Sequence, residues 1–403
     1  MEKYISESYQ GRSLIELLQN ADDALATNFL IKSVSENVFI VANNGRKFNN
    51  EDVLSICRSG ASTKERKGDS IGFRGIGFKS IVNYARNVHL ISGKIKLTFS
   101  KKLTKKILGS DLSVPLVRIP HEFKDDDKYT VLIRNLVDEG YNTIFIFEVN
   151  SDALSIEMDE FDSTTMLFLQ NIKEMNFSFN SKRVTYEIDR RRNLNKQIAV
   201  IKYQDQTSKW LILSGIDRCS IAFQIDDNFN AIKMDKFDSV IHSFLPTKEY
   251  SGMPVKFNGD FSTDPSRTKI IIDDETLLST KNCVGILIDL TLNIISTEND
   301  ENGIMRILGE IEKDPLSAFK TKIISHIILD EFQNSFINTF NSKFKVNQYE
   351  NFYLQPTWIE FDDFLKICQK NNILGFGKNI VIDLTFENIF VQFSVYVFCF
   401  TSV

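Results

Sequence analysis

The segment SLIELLQNADDAL, residues 13 to 25, carries a carboxylate at Glu16, an amide at Asn20 and a second carboxylate at Asp23. On a helix of 3.6 residues per turn these three fall within roughly 60° of one another. Leu14, Leu17, Leu18, Ala21 and Leu25 fall on the opposite side as a core-facing stripe. An acid, an amide oxygen and another acid at one spot suit a hydrated magnesium ion and an attacking water. Magnesium keeps several waters and takes few protein ligands, so one Asn oxygen plus phosphates can suffice. The same spacing also describes the solvated polar face of an amphipathic helix, and this segment alone does not separate the two.

Two further segments bear on that choice. In VFIVANNGRKF a strand runs into Asn43-Asn44-Gly45. That is either a tight hairpin turn or a loop in which Asn43 faces a base edge and Gly45 lets the backbone come close. In SICRSGASTKERKGDSIGFRGIGFKSI, residues Gly72, Gly75, Ile76 and Gly77 form a glycine-rich loop running into a helix opened by Phe78 and Lys79. Amides at such a helix start, together with the helix dipole, converge on phosphate oxygens. The polar stretch from Ser59 to Ser70 has the composition of a lid. A Rossmann loop is disfavoured because no apolar strand leads into the glycines. No GxxxxGK[ST] occurs, so a Walker loop is absent.

ELLQNADDA, NNGRKF and IGFRGIGFKS, in this order, resemble the nucleotide-binding boxes of GHKL ATPases (gyrase, heat-shock chaperone, histidine kinase, MutL). The sacsin-like and NO VEIN-like branch is the most similar, with heat-shock protein 90 and MORC ATPases more distant. The likeness is strongest over residues 12 to 92, continues weakly through Tyr129-Thr130-Val131 and TTMLFLQNIKEM, and reappears in FLPTKEYSGMPVKFNGDFSTDPSRTKI.

The resemblance implies ATP and Mg as cofactors, and a role for each matching position. Glu16 stands where the family has its general base, Asn20 where it binds magnesium, and Asp23 near the nucleotide and its waters. Asn43 takes the position of the adenine-reading aspartate, and Gly45 that of the adjacent glycine. Gly72, Gly75, Ile76 and Gly77 would cradle the phosphates, with Phe78 and Lys79 following. Thr130 resembles the threonine that completes the adenine pocket, and Arg267 the second-domain arginine that reaches the γ-phosphate. Two positions depart from the pattern: Asn43 replaces a carboxylate, and Lys47 replaces the second glycine of DxGxG.

These residues need a scaffold, and the coarse pattern supplies one. The expectation is an α/β chain: a Bergerat-type sandwich over residues 1–180, with a mixed, mostly antiparallel sheet covered by helices. A second α/β domain follows over 181–280, then a mainly helical region over 281–403. Helices are expected over 12–30, from Asn50, over Ser80 to Ala85 and over 162–176. Antiparallel strands are expected from Val88 to Arg134, including HLISGKIKLTF and YTVLIRNL, and again from Val184 to Ile272. The apolar tail from Ile389 to Val403 reads as strand material wanting a partner, which a homodimer could supply.

Composition narrows the functional classes. A net charge of -5 argues against nucleic-acid binding driven by overall charge. Local basic runs exist at Lys101, Lys102, Lys105 and Lys106 and at Arg190, Arg191 and Arg192; the default reading of each is a solvated face. Cys57, Cys219, Cys283, Cys368 and Cys399 stand far apart, which supports neither a zinc site nor a disulfide framework. A reducing, cytoplasmic setting fits. The amino terminus has no apolar core, and no membrane partner is expected.

The leading expectation is an ATPase with slow turnover that drives a conformational switch through its lid and second domain. Its partner is a protein client, or an effector of the kind bacterial defence systems employ. Two alternatives are carried: a MORC- or gyrase-like DNA-handling ATPase, and a nucleotide-binding interaction module without turnover. A histidine kinase is disfavoured, since none of His89, His121, His242 or His326 lies in a helix preceding the boxes.

Overall fold

The computed structural model describes residues 13–57, 85–109, 113–124, 127–149, 157–158, 161–179, 182–235, 237–264, 266–297, 323–344, 351–354, 359–371, 373–376 and 397–398. They divide into two compact units. The first holds the described residues up to Asp189 with Val200–Thr207 and Thr263–Thr268; the second holds Arg190–Ala199, Ser208–Ser262 and those from Lys269 onward. Both are α/β, built largely on antiparallel strands.

The first unit opens with α1 (Ser13–Asp23), whose Leu14, Leu17, Leu18 and Ala21 are buried at helical spacing. The helix stops earlier than its sequence suggests. Leu25 adopts a left-handed φ of 61°, while the Leu25 N–H meets Asp22 O at 2.9 Å and the Ala26 N–H meets Ala21 O at 3.0 Å. That is a Schellman stop built without glycine, so residues 28 to 30, expected as helix, begin a strand instead.

Next come β1 (Asn28–Ser35), β2 (Val38–Asn43), α2 (Asn50–Cys57), β3 (Ala85–Ser92), β4 (Ile95–Ser100), α3 (Lys101–Leu108), β5 (Pro120–Glu122), α4 (Asp127–Asp138), β6 (Thr143–Val149) and β7 (Glu174–Phe179). The strands line up as β7-β1-β2-β6-β3-β4-β5, and every neighbouring pair is antiparallel except β1 with β7. Side chains alternate between faces. Leu30, Ile40, Ala42, Ile91, Ile144 and Ile146 form one apolar cluster with Tyr129, Ile133 and Leu136 of α4. Phe29, Ile31, Phe39, Val41, Leu90, Phe145 and Phe147, of opposite parity, are buried on the other face.

Two expectations are corrected here. YTVLIRNL is helix rather than strand. Its alternating β-branched residues suggest a strand, but Tyr129, Ile133 and Leu136 are the ones buried, at helical spacing, while Val131 and Val137 face solvent. Residues 162–176 are not a helix either. A 3-10 turn, Ser163–Met166, is capped by Asp162, and the chain then runs irregularly into β7. Of the helix expected over Ser80 to Ala85, residues 80–84 lie outside the described residues, and Ala85 begins β3.

A polar cluster sits on the α4 side of the sheet. Glu148 accepts from Asn87 Nδ2 at 2.6 Å and from the Tyr129 hydroxyl at 2.8 Å. His89 Nε2 lies 3.7 Å from Glu148 Oε1, and Nδ1 lies 2.9 Å from Thr98 Oγ1. Burial pushes the His89 pKa down, against the opposing pull of Glu148. Burial pushes Glu148 up, but the hydrogen bonds from Asn87 and Tyr129 and the nearby charges of His89 and Lys128 outweigh it and hold the carboxyl below its usual range.

β8 (Lys182–Asn193), β9 (Lys196–Tyr203) and β10 (Gln206–Ser214) follow, as the strand run expected from Val184 requires. The second unit continues with β11 (Ser220–Ile225), β12 (Val240–Ser243), β13 (Leu245–Tyr250) and β14 (Lys256–Asn258), ordered β10-β11-β14-β12-β13. Helices α5 (Asp274–Thr297) and α6 (Ile324–Phe344) pack beside them. By length and composition α5 could cross a membrane. Its Cys283, Val284, Leu287, Ile288 and Leu292 instead share a core with Ile221, Phe223 and Phe257 of the strands. On α6, Phe332, Phe336 and Phe340 stack one turn apart with centroids 5.6 and 5.8 Å apart. β15 (Asn351–Leu354), α7 (Phe361–Lys370), β16 (Ile373–Phe376) and β17 (Val397–Phe398) complete the described chain, with β15 parallel to both β16 and β17.

Candidate functional site

The polar side of α1 is not a solvated face. Glu16 is 6% exposed, and its Oε1 is in direct contact with Nε of Arg267. The arginine arrives on the loop Thr263–Thr268, which clusters with the first unit although the sequence assigned it to a second domain. That loop is self-braced. Asp264 accepts the Thr268 N–H at 2.8 Å, its carbonyl accepts the Arg267 N–H at 3.0 Å, and its carboxylate bonds the Ser266 hydroxyl. Arg267 itself has a left-handed φ of 55°, a conformation costing a non-glycine residue roughly 1–2 kcal/mol. An oppositely charged pair this buried is costly to split, because either partner left alone keeps its desolvation penalty.

Asn20 and Asp23 lie on the same side of α1 and are half-buried. Their neighbour Asp22 is the residue whose importance the sequence did not reveal. Its carboxylate accepts the backbone N–H groups of Gln170, Asn171 and Ile172 at 3.0, 2.8 and 2.9 Å. Its carbonyl takes Nδ2 of Asn171 at 3.0 Å. This clamp is what keeps residues 170 to 172 out of a helix. The other end of α1 is held by Glu157, whose buried carboxylate accepts the Leu14 N–H at 2.8 Å, where the helix dipole favours an anion. Of Asp22, Asp23 and Glu157, only Asp23 was legible as a site candidate, since the partners of the others are 143 to 150 residues away.

Asn43 ends β2 on the face opposite α4. Its Oδ1 accepts the Gly45 N–H at 3.1 Å; only the oxygen can accept, so Nδ2 is the end left over. No partner of that Nδ2 is found among the described residues. NNG is not a hairpin turn. Asn44 Oδ1 accepts the N–H groups of Thr27 and Asn28 at 2.8 and 2.9 Å, and Asn142 Nδ2 reaches the Asn44 carbonyl at 2.9 Å. Gly45 is explained by packing: a Cβ there would lie 2.7 Å from the Ala24 carbonyl oxygen.

Thr130 is not in a strand. It lies on α4, which covers the face opposite Asn43. The threonine directly across the ladder from Asn43 is Thr143 of β6, buried and 2.8 Å from the Ser92 hydroxyl. The near-continuous apolar run of TIFIFEV, which reads as a strand buried on both faces, was the signal that could have singled it out. Gly72, Gly75, Ile76, Gly77, Phe78 and Lys79, and the lid stretch Ser59 to Ser70, lie outside the described residues.

The donor set at α1 is oxygen only, and no group of three or more His, Cys, Asp or Glu forms a metal cage among the described residues. Such a set fits a magnesium ion carried with phosphates better than a protein-held transition metal.

Residues 2–105 match the family described as Sacsin domain. Protein NO VEIN of Arabidopsis thaliana is 23% identical over 294 residues, a match that covers 65% of this chain and 10% of that protein. The chain therefore spans about a tenth of the length of this relative. A crystal structure of the N terminal domain of a DNA repair protein covers 69% of this chain and 94% of its own, with 12% identity and a TM-score of 0.35. Together the sequence matches relate the chain to a sacsin-like and NO VEIN-like group.

Proposed function

We propose that the chain binds Mg–ATP at the polar side of α1 and hydrolyses it slowly, driving a conformational switch for a protein client or effector. The observation supporting this most is that Glu16 is buried beside Arg267 rather than solvated. A fold seldom buries a carboxylate and brings a distant arginine to it for a merely exposed helix face.

In this reading Asn20 offers its side-chain oxygen to magnesium, which when bound neutralises phosphate charge. Glu16 orients or deprotonates the attacking water. Arg267 exchanges its carboxylate partner for the γ-phosphate, where a planar guanidinium matches two oxygens at once. That exchange frees Glu16 only when the nucleotide is in place, which couples binding to catalysis and to the Thr263–Thr268 loop.

The same contact favours one second reading, a nucleotide-binding interaction module without turnover, because a carboxylate tied to an arginine is a poor base. ATP binding and hydrolysis by the purified chain, with Asn20→Ala and Glu16→Ala alongside, test both. The ATPase reading expects loss of binding in the first and retained binding without turnover in the second. Binding by the parent chain with no hydrolysis above background selects the module; no ATP binding at all overturns both.

A further inference from the structure

The basic run Lys101, Lys102, Lys105 and Lys106 takes no part in this chemistry, yet it folds as a helix of its own. Ser100 caps α3 by accepting the Leu103 N–H at 3.4 Å, and Gly109 closes it at φ 59° with its N–H on Lys105 O. At 100° per residue the four lysines occupy one arc of about 140°. Thr104 points inward; it is buried and bonds His121 Nε2 at 2.8 Å. Leu103 and Ile107 flank the lysines, and Ile107 is 71% exposed, Leu108 54% and Leu103 39%. From Gly93 to Gly109 the sequence contains six lysines and no acidic residue.

We propose that α3 docks the protein on an anionic phospholipid surface. The helix lies in the headgroup plane, Leu103 and Ile107 enter the acyl boundary, and Lys102 and Lys106 reach phosphate groups on their flexible stems. Charge complementarity selects an anionic partner, since each lysine near such a surface adds attraction. The exposed leucine and isoleucine select lipid over nucleic acid. A phosphate backbone rewards cations alone and leaves Ile107 in water. Docking of this kind requires no spanning segment. Eight residues and four lysines make the association reversible, as single weak anchors are.

Co-sedimentation of the full chain with vesicles of phosphatidylcholine, alone or mixed with phosphatidylserine, tests this. Binding is expected to the mixed vesicles only, and to weaken as salt rises. K102E/K106E is expected to lower it by about tenfold or more. Ile107→Ser, which leaves the charge unchanged, is expected to lower it by at least about threefold. Unchanged thermal unfolding of both variants shows that they fold. No sedimentation, equal binding to both vesicle types, or indifference to Ile107→Ser overturns the proposal. So does a short DNA duplex that binds more tightly than vesicles and ignores Ile107→Ser, which reassigns the helix to nucleic acid.

Discussion

Nε of Arg267 contacts Oε1 of Glu16, joining α1 to a loop some 250 positions later within one compact unit. Each partner is almost withdrawn from solvent, so removing one leaves the other charged and unpaired. Arg267→Ala should destabilise the chain by about 3–5 kcal/mol, and Glu16→Gln by less, because the amide can still accept. In a double-mutant cycle the two changes should be clearly non-additive. Additive losses in chemical denaturation would show that the contact contributes nothing to folding.

Asp22→Asn tests the clamp. An amide carries one acceptor oxygen and no charge, so at least one of the three N–H groups from Gln170 to Ile172 loses its partner. Stability should fall by about 2 kcal/mol or more. Amide exchange at residues 170 to 172 should quicken more than exchange in β2. A uniform quickening across the sheet would mean that the clamp has no local role.

Gly45→Ala places a Cβ against the Ala24 carbonyl, and backbone on both sides has little room to give. A loss of about 1–3 kcal/mol is expected. ATP affinity measured below the melting transition separates this packing effect from any role at the nucleotide.

If the proposed ATP site is right, Asn43→Asp is expected to strengthen ligand binding. One carboxylate oxygen can keep the Gly45 N–H, while the other turns a donor into a charged acceptor for the adenine amino group. Charge-assisted bonds are roughly twice as strong as neutral ones, so ATP affinity should rise by up to about tenfold. A titration showing weaker ATP binding by a folded Asn43→Asp chain would remove Asn43 from the base pocket.

Acid should weaken the first unit through His89 and Glu148. Burial holds His89 below its usual pKa. The unfolded chain therefore binds the proton first, and stability falls as pH drops below about 6.5. Glu148, also depressed, contributes above its unfolded value and loses that contribution as pH falls through its folded one. Both act in the same direction. Tm measured against pH should decline between about 6.5 and 5, and His89→Gln should flatten that segment while leaving the steeper loss at lower pH.

Much of this architecture was legible, and the exceptions share a cause. Helix α1, the β3–β4 hairpin and the start of α2 follow from periodicity and local caps. Asn49 and Asp52, for instance, cap each other reciprocally at 2.8 and 2.9 Å within one turn. The failures lie where a distant group decided the backbone. Residues 167 to 172 look helical by composition, but Gln170, Asn171 and Ile172 give their N–H groups to Asp22. The stop at Leu25 uses a left-handed leucine that no glycine announces. Residues 129 to 136 satisfy both periods, and the sheet face waiting for Tyr129, Ile133 and Leu136 settles the matter. At the site, Glu16 and Arg267 were each nominated by the family resemblance, but only the fold could bring them into contact; Thr130, expected in a strand, lies on α4, and the threonine across the ladder from Asn43 is Thr143.

The family match ends at residue 105, yet α1 is held by Glu157 at its start, Asp22's partners near its end and Arg267 on its flank. A polypeptide emerging from the ribosome has the whole of α1 long before any of its three anchors exists. Truncation at the family boundary would remove all of them at once. Any dissection of this protein that stops near residue 105 would isolate the recognisable motif from the parts that make it rigid.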